Sequence, residues 1–146
     1  MKRLSAAALM AIAALVAAGT GSARTHVAAC AHWNISGTWL TSQGNNYHVT
    51  FHFTQAKTVI GGIASLTPQE QAQATYTTRT SKIQGTLVGS HLVVKIRYTK
   101  TGGPTLTGRY VGTISQGSLT GSGRDITTPG AVSVAWTGKG PTRCLP

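Results

Sequence analysis

The chain has 146 residues, a formal charge of +11 at neutral pH and only two acidic side chains, Glu70 and Asp125. A glycosidase needs two carboxyl groups facing one glycosidic bond, and a Ca²⁺ or Mg²⁺ site needs several oxygen ligands. The composition therefore argues against both classes.

The N-terminal segment has the pattern of an export signal. Lys2 and Arg3 precede an uncharged apolar run over residues 4–18, which ends in small residues at 19–23. A retained membrane anchor is less favoured, because a span needs about 20 apolar residues. We expect residues 1–23 to be a cleaved signal peptide, and the protein to be secreted (extracellular or periplasmic) without a transmembrane span.

Two cysteines bracket the rest of the chain. In an oxidising compartment, Cys30 and Cys144 are expected to form a disulfide. This bond would tie a lead-in segment (24–34) to the end of one domain (35–146). Residues 27–30 also resemble a lipoprotein box, so a lipid anchor on Cys30 is an alternative.

Short runs of alternating apolar and polar residues, separated by Gly, Asn, Ser and Pro, follow the lead-in segment. This pattern is typical of strands and turns. The dipeptides 89–90 and 116–117 fit two-residue hairpin turns between antiparallel neighbours. The predicted strands are 35–41, 47–54, 58–64, 82–88, 91–99, 106–115, 118–124 and 131–138, with a weaker one at 75–80.

One helix is predicted between the strands. Thr67, Pro68 and Glu70 form a capping box with proline at the first helical position. We expect about two turns over residues 68–74. The helix is interpreted either as a lid over a barrel mouth or as a simple connector.

A glycine-containing unit recurs at 35–39, 83–87 and 110–114, with a looser copy at 119–123. In each copy the glycine lies two residues after a large apolar residue. Glycine on the inner face of a barrel lets a strand bend and leaves room for a bulky neighbour. Eight or so such strands most economically close into an antiparallel up-and-down β-barrel, with a sandwich as the alternative.

The residues Gly37, Thr38 and Trp39 are similar to the Gly-x-Trp start of lipocalin and avidin-type barrels, the calycin group. Residues 35–50 resemble the first hairpin of avidin-family proteins, and 106–112 resemble a later strand. The resemblance implies a barrel with an interior ligand. Thr41 and Asn45 stand where biotin-binding members place Asn and Ser, and a later strand begins with Leu106 rather than Trp, so biotin itself is not expected.

The main functional hypothesis is a non-enzymatic protein that binds a small apolar or amphipathic molecule inside the barrel. Inward-facing aromatic residues would line such a cavity. The candidates are Trp39, Tyr47, Phe51, Phe53, Tyr110 and Trp136.

The alternative hypothesis is a filled barrel that binds anionic polymers or surfaces through its outer wall. The turn at 89–90 places Lys82 opposite Arg97 and Gln84 opposite Lys95. The turn at 116–117 places Arg109 opposite Arg124. Opposed like charges destabilise a sheet, so their presence suggests an anionic partner, although these side chains could also form an ordinary solvated face.

Catalysis, metals and cofactors find little support in the sequence. His48 and His52 share a strand face but lie about 13 Å apart along it, too far to bind one metal ion. No nucleophile elbow accompanies Asp125. No metal, cofactor or sequence-specific nucleic-acid partner is therefore expected, and an enzyme is the third hypothesis.

Overall fold

The structure, a computed structural model, describes residues 30–146. The predicted signal peptide and residues 24–29 of the lead-in segment lie outside this range. The elements are β1 (His32–Asn34), β2 (Gly37–Gln43), β3 (His48–Ala56), β4 (Val59–Leu66), α1 (Pro68–Ala74), β5 (Thr80–Val88), β6 (His91–Thr99), β7 (Thr105–Ser115), β8 (Ser118–Asp125), β9 (Val134–Lys139) and β10 (Arg143–Leu145).

Strands β2 to β9 form a closed antiparallel barrel in which each strand pairs with the next one in the chain. The barrel closes where β9 pairs with β2, with Leu40 opposite Lys139. The prediction of an all-β, up-and-down barrel of eight strands with one short helix is confirmed. Closure leaves none of these eight strands with an unpaired edge.

Alternation along the strands separates an apolar interior from a polar outer wall. Ile83 lies opposite Ile96 and Leu87 opposite Leu92, as the turn at 89–90 predicts, and all four side chains are buried. A slip of one residue would turn these side chains outward.

The interior is filled by aromatic side chains towards one end of the barrel. Trp39 and Phe51 are fully buried, and Phe53 and Trp136 nearly so. The Phe51 ring centroid lies 5.4 Å from that of Phe53 and 5.7 Å from that of Trp136. These tilted contacts are favourable aromatic arrangements and form a solid core.

The recurring glycines allow neighbouring strands and side chains to approach closely. A Cβ on Gly85 would lie 2.7 Å from the Cα of Val94, and one on Gly121 would lie 2.8 Å from the indole nitrogen of Trp136. A larger residue at either position would displace the core. The interpretation of the repeat as a packing feature is thus supported at both positions.

Helix α1 has the predicted bounds and capping box. The Thr67 hydroxyl accepts a hydrogen bond from the Glu70 backbone, and the Glu70 side chain accepts one from the Thr67 backbone. The weak strand predicted at 75–80 does not form. Thr75 ends the helix in the left-handed conformation (φ 57°), which breaks the extended run, and Tyr76 makes only a single bridge to Lys100.

A second, two-stranded sheet joins the ends of the described chain. β1 pairs with β10, and the predicted Cys30–Cys144 disulfide is present with Cα atoms 5.5 Å apart. Gln55 anchors this ribbon to the barrel, since its Nε2 donates to the Trp33 carbonyl oxygen at 2.8 Å. An acylated Cys30 would need a free thiol, whereas its sulfur is bonded to Cys144 here.

Within residues 30–146, no helix is both long and apolar enough to cross a membrane.

Candidate functional site

The end of the barrel that carries the β2–β3, β4–β5, β6–β7 and β8–β9 connections is open, and we call it the mouth. A cavity of about 290 Å³ lies there, and an adjoining one of about 220 Å³ shares part of its lining. We call the two together the mouth cavity. The first is lined by Gln43, Asn45, Tyr47, Val49, Leu66, Gln73, Ala74, Thr75, Tyr76, Tyr98, Lys100, Leu106 and Tyr110.

All four tyrosines of the chain line this cavity. The ring of Tyr76 stacks on that of Tyr98, with centroids 4.9 Å apart. Tyr110 forms the floor and meets Trp136 edge-on at 5.5 Å. Tyr47 is half-buried at the rim. The cavity therefore has flat aromatic walls whose hydroxyl groups are available for polar recognition.

Different elements position these rings. Tyr98 and Tyr110 point inward because they follow the alternation of β6 and β7, and Gly123, directly opposite Tyr110, leaves space for its ring. Tyr76 is held by the end of α1, because its backbone nitrogen donates to the Gln71 carbonyl oxygen at 3.1 Å. The Gln71 side chain donates in turn to the Tyr76 carbonyl oxygen at 2.9 Å.

The hydroxyl group of Tyr98 has an unusual environment. Tyr98 is 7% exposed, and among residues 30–146 its Oη is the one buried side-chain polar atom without a hydrogen bond of normal geometry, although the Tyr110 hydroxyl is close enough to raise its pKa. Buried polar atoms are normally paired, and leaving one unpaired costs about 1–3 kcal/mol. The ring of Tyr98 lines the cavity, but its Oη is enclosed by protein, so a ligand group could pair with this atom only by displacing a neighbouring side chain.

Burial raises the pKa of three of the four tyrosine hydroxyl groups. It raises the pKa of Tyr98 well above its ordinary value, with a further contribution from the nearby Tyr110, and raises that of Tyr76 to about 12. Burial also raises the pKa of Tyr110, whose Oη accepts a hydrogen bond from Gln43 Nε2 at 3.4 Å. The rings can thus act as neutral hydrogen-bond donors.

The remaining lining is mixed in polarity. Val49, Leu66 and Leu106 supply apolar surface, while Gln43 and Lys100 supply polar groups. Lys100, half-buried beside the Tyr76–Tyr98 stack, is the one cationic side chain that lines the larger cavity. The lining is thus about equally polar and apolar, which suits an amphipathic molecule better than a purely apolar one.

A carboxylate fixes α1 beside the mouth. Oε1 of Glu70 accepts from the backbone nitrogen of His48 at 2.5 Å, and Oε2 accepts from the backbone nitrogen of Thr67 at 3.1 Å. Burial alone would raise the pKa of Glu70, but the hydrogen bonds from Thr67 and His48 lower it below its usual value. The helix is therefore linked to β3 by an ionised, buried side chain.

The structure separates the six predicted ligand-binding residues into two groups. Tyr47 and Tyr110 line the mouth cavity. Trp39, Phe51, Phe53 and Trp136 fill the barrel interior beneath it and are absent from its lining.

Sequence reasoning missed Tyr76, Tyr98 and Lys100 as residues of the cavity. The position of Tyr98 could have been inferred, because it lies two residues after the inward-facing Ile96 on the same strand. Tyr76 and Lys100 carried no such signal, since they lie outside the strands and reach the cavity through the tertiary structure.

The predicted cationic residues all lie exposed on the outer wall, at Lys82, Lys95, Arg97, Arg109 and Arg124. Gln84 lies opposite Lys95 and Arg109 opposite Arg124, as the two turns predict. Lys95 also lies opposite Arg109 on β6 and β7, so that three cations form one row across three strands.

The histidines predicted to lie too far apart for a shared metal have separate partners. Nδ1 of His48 lies 3.5 Å from Oε1 of Glu70, and Nδ1 of His52 lies 3.0 Å from the Thr38 hydroxyl. Across residues 30–146, no three His, Cys, Asp or Glu side chains cluster in a way that could hold a metal ion.

No protein-family model, curated protein or solved structure matches this chain significantly. The closed eight-stranded antiparallel barrel is compatible with the calycin-type fold that residues 37–39 resemble.

Proposed function

We propose that this chain is a secreted, non-enzymatic binding protein that takes a small amphipathic molecule into the mouth cavity. The observation that carries the proposal is a cavity at the open end of the barrel that is lined by every tyrosine of the chain and bordered by the unpaired hydroxyl of Tyr98. Secretion is supported by the signal-like sequence of residues 1–23 and by the Cys30–Cys144 disulfide.

The lining favours a flat ligand with one polar end. Aromatic faces and the side chains of Val49, Leu66 and Leu106 would cover its apolar body. Once a neighbouring side chain moves aside, the Tyr98 hydroxyl would donate a hydrogen bond to an acceptor on the ligand, and Lys100 would attract an anionic group. A planar molecule that bears a carboxylate or sulfonate satisfies all these contacts.

Binding without catalysis is favoured by the chemistry of the lining. The larger cavity contains amides, phenols, the Thr75 hydroxyl, one lysine and aliphatic side chains, and lacks a carboxylate, histidine, serine or cysteine. The one carboxylate of the adjoining cavity, Asp125, already accepts hydrogen bonds from Thr127 and Thr128. The hydroxyl groups of Tyr76, Tyr98 and Tyr110 have raised pKa values and are thus poorly suited to act as bases at neutral pH.

The proposal can be tested with the fluorescent probe 8-anilinonaphthalene-1-sulfonate, an aromatic anion of suitable shape. We expect saturable binding to one site on the folded, oxidised protein. Tyr98→Phe should weaken binding about five-fold because one hydrogen bond is lost, and Lys100→Gln should weaken it to a similar extent.

Lys95→Gln is the matched control, because it removes the same charge from the outer wall. It should leave the affinity unchanged. The proposal is wrong if Tyr98→Phe and Lys100→Gln bind the probe as tightly as the parent protein, or if Lys95→Gln weakens binding as much as they do.

A further inference from the structure

The outer wall of β6, β7 and β8 carries a feature that the mouth cavity does not explain. Lys95, Arg109 and Arg124 lie directly opposite one another on adjacent strands. Neighbouring strands are about 4.8 Å apart, so the Cα atoms of these three cationic residues span about 10 Å. Arg97 and Lys82 lie on the same outer face of β6 and β5. We call these five residues the cationic row.

These charges have no anionic partner within the described chain. The one contact between a basic side chain and a carboxylate among residues 30–146 joins His48 and Glu70, close to the mouth. Asp125 follows Arg124 in sequence, but its oxygens accept hydrogen bonds from the Thr127 backbone at 2.8 Å and from the Thr128 hydroxyl. Opposed like charges without counter-charges destabilise the sheet and attract anions.

A cleft lies between the two opposed arginines. It has a volume of about 220 Å³ and is lined by Arg109, Val111, Ser122, Arg124 and Ser133. Val111 and Ser122 face each other across β7 and β8, and Ser133 precedes β9 at the side. The cleft thus offers two guanidinium groups and two hydroxyl groups around one small space.

This donor set matches a tetrahedral oxyanion better than a carboxylate. Arginine forms paired, charge-assisted hydrogen bonds with phosphate oxygens. Two guanidinium groups and two hydroxyls can donate hydrogen bonds to three or four oxygens of one phosphate group, whereas a carboxylate has only two oxygens. The rest of the row, with Lys95 directly beside Arg109, extends the site to neighbouring charges on the same polymer.

The chemistry of the surrounding wall argues against single-stranded nucleic acid as the partner. Such binding combines a basic groove with exposed aromatic side chains on which bases stack. Every Phe, Tyr and Trp side chain of the described chain is buried or half-buried. We infer that the cationic row is a binding surface for a linear polymer of phosphate groups, with the Arg109–Arg124 cleft holding one phosphate.

Long-chain inorganic polyphosphate is the probe, titrated against the folded protein at several salt concentrations. Five contacts predict a slope of log K against log [salt] of about −3.5, and a loss of affinity of about 100-fold between 50 and 200 mM salt. Arg109→Ser/Arg124→Ser should reduce the slope to about −2. Because the two opposed like charges destabilise the sheet, their removal should leave the thermal midpoint unchanged or raise it slightly, so unfolding would not explain a loss of affinity.

The matched control is Arg79→Ser/Arg143→Ser, which removes two exposed arginines away from the row. It should retain the parent slope and affinity. Poly-glutamate and oligo-dT with the same number of charges should bind more weakly than polyphosphate.

Equal losses in the two double variants would show that net charge alone binds the probe and would overturn the inference. Poly-glutamate or oligo-dT binding as tightly as polyphosphate would also overturn it. Arg124 also lines the smaller part of the mouth cavity, so two other variants separate this inference from the proposed function. Lys95→Gln should weaken polyphosphate binding and leave probe binding in the mouth unchanged, and Tyr98→Phe should do the opposite.

Discussion

The ring of Tyr76 stacks on the ring of Tyr98, with centroids 4.9 Å apart and planes inclined by 14°. The two residues belong to different parts of the fold, since Tyr98 lies in β6 and Tyr76 follows α1. The backbone reinforces this contact, because the Thr77 nitrogen donates to the Thr99 carbonyl oxygen at 2.8 Å. The stack therefore fixes the segment after the helix against the barrel wall and completes one side of the mouth cavity.

Removing the unpaired hydroxyl should stabilise the empty protein. We expect Tyr98→Phe to raise the free energy of unfolding by about 1 kcal/mol, because a buried polar atom without a partner is replaced by hydrogen. Urea denaturation of the ligand-free protein measures this change. Tyr110→Phe is the control, and it should give no gain because its hydroxyl has a partner in Gln43. A less stable Tyr98→Phe variant would show that the hydroxyl is satisfied in solution.

The stability of the domain should fall in acid through Glu70. Its folded-state pKa lies below the ordinary value of 4.5, so the ionised side chain contributes fully above about pH 4.5. This contribution is lost as the pH falls through the folded-state pKa. Glu70→Gln should therefore be destabilised by about 1–2 kcal/mol at pH 6 and should show a shallower decline of stability below pH 4.5.

Asp125→Asn provides the comparison for this effect. The pKa of Asp125 is also lowered, because the hydrogen bonds from Thr128 and Thr127 outweigh the opposing effect of burial. Since Asp125 lies near the surface, its replacement should have a smaller effect than that of Glu70. A Glu70→Gln variant with the parent protein's acid profile would contradict the assignment.

The disulfide should contribute strongly to stability because of the length of chain that it closes. Cys30 and Cys144 are 114 positions apart in sequence. A loop of this size corresponds to a stabilisation of about 4–5 kcal/mol, mainly through restriction of the unfolded chain. The Cys30→Ser/Cys144→Ser variant should lose about this amount in urea denaturation while retaining the β-sheet circular dichroism spectrum. A change below about 1 kcal/mol would contradict the prediction.

The floor of the mouth cavity depends on a glycine. A Cβ at position 123 would lie 2.6 Å from the Tyr110 ring. Gly123→Ala should therefore displace Tyr110, destabilise the domain by about 1–3 kcal/mol and weaken probe binding in the mouth. Thr120→Ala, on the exposed face of the same strand, should change stability by no more than about 0.5 kcal/mol. Parent-like probe binding by Gly123→Ala would show that Tyr110 is not part of the site.

The fold was predictable because its determinants are local. Alternation in β6 defines the inner face, the turn at 89–90 defines the register of Ile83 and Ile96, and the capping box defines where α1 begins. The strand predicted at 75–80 was wrong because the left-handed conformation of Thr75 is imposed by the helix end, which strand propensity does not reveal.

The candidate site was less predictable because its lining depends on how far along the barrel axis each inward-facing residue lies. Phe51 and Tyr110 both face inward, yet only Tyr110 reaches the cavity lining. Which inward residues meet an open end depends on strand stagger and on the connecting segments, and neither is encoded in the alternation of one strand. Tyr76 reaches the cavity only because α1 places it there.

The most direct test of the mouth site is a nuclear magnetic resonance titration of protein carrying ¹³C-labelled tyrosine rings. All four tyrosines line the mouth cavity, so these signals report on that site alone. A library of small planar carboxylates and sulfonates is added to the oxidised protein, with the indole signals of Trp33 and Trp39 followed as controls. We predict that at least one compound shifts the signals of Tyr76, Tyr98 and Tyr110 in a saturable manner, leaves the two indoles unchanged, and loses affinity in Lys100→Gln. Binding that shifts Trp33 at the opposite end but none of the tyrosines, or a library that shifts no tyrosine at all, would contradict the account.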